Sequence, residues 1–135
     1  MIDPFTRTRY HSGCRLDAWF PDGVLDITMA TLMVHYVGFE EAITDEPFNR
    51  FADLSKLTAI HLEFSDVARI AAERRASYDG PQVKSAFLAT NLPAYGVARM
   101  FAALMEPSSI EVQVFRKIED AAEWLGVPPD VLREE

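Results

Sequence analysis

His61 and Glu63 stand one residue apart, and an extended backbone would turn both side chains the same way. An imidazole beside a carboxylate is a pairing used in general acid–base catalysis, and both groups also ligate metals. A metal centre needs a third and a fourth ligand, and no second His or Cys cluster in the chain supplies them. The plainer reading of the pair is two polar residues beside a helix start. His35 falls on the polar stripe of an expected helix, and His11 lies in the N-terminal stretch. Cys14 is the single cysteine, so neither an intramolecular disulfide nor a cysteine-based zinc site can form. The chain shows no glycine-rich phosphate loop, no nucleophile elbow, and no Ser/His/Asp or Cys/His arrangement at recognisable spacing. No catalytic residue, metal ligand or cofactor is assigned on these grounds.

Thr90, Asn91, Tyr95 and Gly96 are singled out by position rather than by motif. They fall where an expected strand over 83–90 gives way to a helix. Ligands of open α/β sheets bind outside the carboxyl ends of strands, and helix N-termini there offer free N–H groups to an anion. These four are the ligand-binding candidates. The competing reading is structural: Asn91 caps the helix, Tyr95 packs, and Gly96 allows close approach to the sheet. Met29, Met33, Tyr36, Phe101 and Met105 could line an apolar cavity for an acyl chain, or could simply fill the core. Arg74, Arg75 and Lys84 read either as a basic patch or as solvated charges.

The elements that must position these residues are legible in part. R-L-D-A-W-F at 15–20 alternates as a strand, and Pro21-Asp22-Gly23 supplies turn chemistry. From Ile27 to Ile43 the polar residues Thr28, Thr31, His35 and Gly38 recur at helical spacing. The rest of that helix is apolar over more than half its circumference, including Leu32 and Phe39. Such a surplus can line a pocket, cover a dimer interface or reflect deep burial. Residues 48–54 read as a strand, and Ser65-Asp66 can cap a helix from 66 to about 77. In that helix Val67, Ile70 and Ala71 face inward, and Arg69, Glu73 and Arg74 largely outward. A strand at 83–90, a helix from Asn91 and Pro93 to about Met105, and a strand at 110–116 follow. The last helix, 117–125, turns Ile118, Ala121, Ala122 and Leu125 inward and stops at Gly126. Strand and helix thus alternate, which implies right-handed crossovers and a largely parallel sheet.

Composition narrows the classes of function. With 135 residues, 49% hydrophobic and 25% charged, the chain fits one globular domain. A net charge of −8 argues against nucleic-acid binding, and Arg7, Arg9 and Arg15 read as a solvated tail. No apolar run reaches the ~18 residues of a membrane span, and no secretory signal is visible, so a cytoplasmic location is expected. Residues 1–6, M-I-D-P-F-T, read as a vector remnant, leaving 7–135 as the domain.

Three stretches carry a family resemblance: A-D-L-S-K-L at 52–57, N-L-P-A-Y-G-V-A-R-M-F at 91–101, and V-F-R-K-I-E-D-A-A-E-W-L at 114–125. Together they resemble an uncharacterised bacterial group related to the STAS domains, which include anti-sigma factor antagonists and the tails of sulfate transporters. The wider relatives also have a fold likeness to CRAL-TRIO lipid carriers. The resemblance implies an α/β fold: a single-domain βαβα sandwich with a mostly parallel four- or five-stranded sheet covered by about four helices. It also implies a regulatory or ligand-binding role. Anti-sigma antagonists carry an Asp-Ser-Ser-Gly-like turn whose serine is phosphorylated. The matching stretch here, A-I-H-L-E-F-S-D at 59–66, lacks that turn, so the phospho-switch is not carried over to Ser65.

The expectation is therefore a non-enzymatic STAS-like module that binds a protein partner or a small apolar or anionic ligand, without a cofactor. The alternative is a small enzyme using His61 and Glu63. A homodimer through the first helix is compatible with either.

Overall fold

The computed structural model describes residues 7–44 and 46–134, so the expected vector remnant at 1–6 lies outside the described residues. Strands β1 (Thr8–His11) and β2 (Leu16–Trp19) form an antiparallel hairpin. A short strand β3 (Gly23–Asp26) runs directly into helix α1 (Ile27–Ile43). Strands β4 (Asn49–Asp53) and β5 (Leu57–His61), helix α2 (Phe64–Ser77) and strand β6 (Val83–Leu88) follow. Helix α3 (Leu92–Leu104), strand β7 (Ile110–Phe115), helix α4 (Ile118–Leu125) and a 3-10 turn (Pro129–Leu132) complete the order. The main sheet has five strands in the order β1-β2-β4-β6-β7, parallel throughout except for β1 at one edge. β3 and β5 form a separate two-stranded parallel sheet. The architecture is the expected single α/β domain with a mostly parallel sheet and four helices.

Strand alternation divides the core between the two faces of the sheet. Leu16, Ala18, Phe20, Phe51, Ala86 and Leu88 pack against Ala121, Ala122 and Leu125 of α4. Trp19, Ala52, Phe87 and Val114 face the other way, toward Met33 and Val37 of α1 and Ala94 and Ala98 of α3. All four residues of β2 are buried, as a strand covered on both sides requires. That burial includes the charged residue Asp17.

The helix ends follow from local chemistry. Asp26 caps α1 by accepting from the Met29 N–H at 2.9 Å, and Asn91 caps α3 by accepting from the Ala94 N–H at 2.9 Å. α4 stops at Gly126, which sits at φ 73°, a left-handed backbone that side chains disfavour. Gly126→Ala is expected to lower stability by about 1 kcal/mol, read as a shift in the urea midpoint at unchanged slope.

Several expectations are corrected. β1, β3 and β5 were not anticipated, because four or five residues hold barely two periods of alternation. α2 begins at Phe64 rather than Asp66: Asp66 lies one turn inside the helix, where its carboxylate accepts from the Glu63 N–H at 2.9 Å. The basic run is no solvated tail. Arg7 donates to the Phe20 carbonyl at 2.5 Å and to Glu134 at 2.6 Å, clamping the edge hairpin to the C-terminal segment. Arg74, placed outward by its helical position, is buried instead. Its guanidinium forms a two-pronged pair with Glu41 of α1 at 2.8 and 2.6 Å and stacks on the Tyr78 ring. On α1 the solvent-facing line is Thr28, Leu32, His35, Phe39 and Ile43, so two large apolar residues of the expected inner set, Leu32 and Phe39, point outward.

Candidate functional site

The sheet face beneath α1, α2 and α3 is built from small side chains where larger ones would fill the space. Ala30, Ala52, Ser85 and Ala98 meet there, and a cavity of about 140 Å³ opens among Met33, Val37, Phe87, Phe101 and Met105. An interior packed to ordinary density leaves few voids larger than a water molecule. Of the five residues expected to line an apolar cavity, Met33, Phe101 and Met105 do so, while Met29 and Tyr36 do not and are partly buried against the core of the same face.

The wall is apolar except at Arg50, Arg74 and Ser85. Arg50 on β4 is paired in register with Asp17 on β2 and with Ser85 on β6, so the three stand in one row across the sheet. The Arg50 Nη1 donates to Asp17 Oδ2 at 3.1 Å and lies 3.6 Å from Glu40 Oε1 of α1. Asp17 is 1% exposed. Glu40 Oε1 is buried and accepts no hydrogen bond from the described residues. The Phe48 ring lies under the Arg50 guanidinium, and Tyr10 meets Phe48 edge-on. Two carboxyl groups thus converge on one side of a single guanidinium.

Burial pushes the Glu40 carboxyl up to about 7, reinforced by its hydrogen bond to Asp17 and by the Asp17 charge, with Arg50 opposing. Near neutrality Glu40 is therefore protonated in part of the molecules. Burial also raises the Tyr36 phenol, one turn before Glu40. The Glu40 proton is bound more tightly by the folded than by the unfolded chain, so it favours folding below the ordinary carboxyl range and that benefit is lost as pH rises. Stability is expected to fall by about 2–3 kcal/mol from the ordinary glutamate value of 4.5 up to about 7. Glu40→Gln should flatten that slope in urea unfolding measured across the interval.

The ligand-binding candidates sit elsewhere. Asn91 caps α3, the Thr90 carbonyl accepts from Arg116 at 3.2 Å, and the guanidinium groups of Arg99 and Arg116 lie 5.7 and 5.3 Å from the Tyr95 ring centre. Gly96 is exposed, with open space where a side chain would go, so it serves no close approach to the sheet. None of the four lines the cavity. His61 and Glu63 are both exposed and do not line that cavity either, and Glu63 sits at the start of α2. Among the described residues no group of three or more His, Cys, Asp and Glu is placed to hold a metal. Arg74, Arg75 and Lys84 form no patch: Arg75 donates to the Leu104 carbonyl, and Lys84 to that of Trp124 on the opposite face. No helix of the described residues is long and apolar enough to cross a membrane.

Sequence reasoning missed the Asp17–Arg50–Glu40 cluster. The available signal was a charged residue at the centre of each of two strands that the fold must bury.

Four helices on a mostly parallel five-stranded sheet with an antiparallel edge make a SpoIIAA-like fold, the fold of STAS-like modules. The chain is similar in structure to an uncharacterised DUF3478-family protein with a SpoIIAA-like fold from Shewanella loihica PV-4. The TM-score is 0.53 at 18% identity, over 82% of this chain and 83% of that one. This likeness bears on the fold, and on the STAS-like side of the resemblance rather than the CRAL-TRIO side. No protein-family model matches the chain, and no curated protein does.

Proposed function

We propose that the chain is a STAS-like binding module that holds a small apolar molecule between its sheet and helices α1, α2 and α3. One observation carries the reading: a cavity of about 140 Å³ with an almost wholly apolar wall. A cavity of that size in an apolar core accepts a molecule of about benzene's size. The apolar surplus on α1 supports it, since Met33, Val34 and Val37 spend that surplus on the cavity wall. A binding role rather than catalysis fits the exposed positions of His61 and Glu63.

The test uses toluene as a probe and Trp19, which lines the cavity, as the reporter. Trp124 packs on Phe115 across the sheet, so Trp124→Phe leaves a single emitter. Saturable change in Trp19 emission on adding toluene is expected, and Ala98→Leu, which fills the cavity, should abolish it. No saturable change would refute the reading.

A second reading follows from Phe39 and Ile43, which are 63% and 65% exposed on α1 with Leu32 beside them. An apolar stripe of that kind favours a homodimer. A mass in light scattering that doubles on concentration is expected, and a monomer at every concentration would dismiss it.

A further inference from the structure

We infer that the molecule held in the cavity is a small apolar monocarboxylic acid, its carboxylate seated on Arg50 and Ser85 and its body among Met33, Val37, Phe87 and Phe101. The inference rests on the binding role proposed above and specifies the chemistry of its ligand.

The two cavity-lining arginines differ in what they have left to offer. Arg74 spends both Nη1 and Nη2 on Glu41, with two short bonds. Arg50 meets Asp17 and Glu40 through Nη1 alone, at 3.1 and 3.6 Å. A guanidinium carries five N–H donors in a planar fork suited to a carboxylate, so Arg50 retains the capacity for another anion. Ser85, its register neighbour on β6, lines the same cavity and adds a hydroxyl donor beside it. The remaining wall is hydrocarbon, which matches an acid with an apolar body and no second polar group.

Charge balance fixes the conditions for binding. Glu40 is faced by Tyr36 on its own helix, Asp17 on β2 and Arg50 on β4, while Glu41 beside it is committed to Arg74. With Glu40 protonated, Asp17 balances Arg50 and Glu41 balances Arg74. A bound carboxylate then brings one net negative charge, the same charge the empty cluster carries once Glu40 ionises. Bound ligand and ionised Glu40 are therefore competitors for Arg50. Glu40 ionises at about 7, so binding of a carboxylate should weaken about tenfold between pH 6 and pH 8, with a proton taken up at the upper end. A neutral ligand should show no such dependence.

The experiment compares benzoate, benzamide and toluene by Trp19 emission in the Trp124→Phe chain at pH 6 and pH 8. Expected are saturable binding of toluene at both pH values and benzoate bound at least tenfold more tightly than benzamide at pH 6. The benzoate affinity should drop about tenfold at pH 8, and Glu40→Gln should remove that drop. If Glu40→Gln fails to fold, the benzoate–benzamide comparison and the pH series on the unsubstituted cluster still decide. Toluene binding with benzoate no tighter than benzamide overturns the carboxylic-acid inference and leaves the apolar cavity reading intact. Benzoate favoured equally at both pH values overturns the competition with Glu40 and with it this account of the site. Failure of all three probes removes the binding role itself.

Discussion

Asp17→Ala is expected to destabilise the fold by about 3–4 kcal/mol at pH 6, because it leaves Arg50 buried without its closest counter-charge. Asp17 is 1% exposed and the Arg50 side chain 12% exposed, so little water reaches the guanidinium to compensate. The loss should shrink at pH 8. Without Asp17 the Glu40 carboxyl loses both a hydrogen bond and a like charge that hold it protonated, and it ionises against Arg50 in Asp17's place. Combining Asp17→Ala with Glu40→Gln removes that substitute, so the double variant should lose more than the sum of the single losses. Replacing the pair together, Asp17→Leu with Arg50→Met, should recover most of the stability, since no charge is left stranded. Urea unfolding of the set reads all of these. A loss below about 1 kcal/mol for Asp17→Ala would mean that the row is wet and that Arg50 needs no partner.

Phe51→Ala should cost about as much or more, about 3–5 kcal/mol, for a different reason. Phe51 is 1% exposed in the central strand β4, where it meets Phe20 edge-to-face at 6.3 Å over the α4 side of the sheet. Removing the ring opens a void beneath α4 that neither rigid strand can close. Unfolding in urea should show a lower midpoint with unchanged slope, and a cost near 1 kcal/mol would mean that α4 settles into the gap.

The helices were legible because each repeats its pattern over several turns. α1 runs over 27–43 as its polar spacing indicates, and α4 ends at Gly126 because only a glycine sits easily at that backbone angle. β6 was readable as a strand covered on both faces for most of its length, with Lys84 and Ser85 as its polar exceptions. The three short strands were not, and Gly23, the first residue of β3, was read only as the end of the Pro21-Asp22-Gly23 turn. The site was less legible than the fold. Asp17 and Arg50 lie 33 positions apart, as do Glu41 and Arg74, and no local periodicity encodes such pairings. A helical wheel places Arg74 on the outside of α2, and only the packing of α1 across it supplies the partner that permits burial. The cavity, too, arises from small residues on separate elements, Ala30, Ala52, Ser85 and Ala98, each unremarked where it stands in the sequence.

The central claim is that the space under α1, α2 and α3 is a receptor for a small apolar body. A crystal of the protein pressurised with xenon tests it most directly, because xenon settles in apolar cavities of this size without needing a polar anchor. The account predicts a xenon peak bounded by Met33, Val37, Phe87 and Phe101. A map in which those side chains close on one another, leaving no xenon between the sheet and the helices, would contradict it.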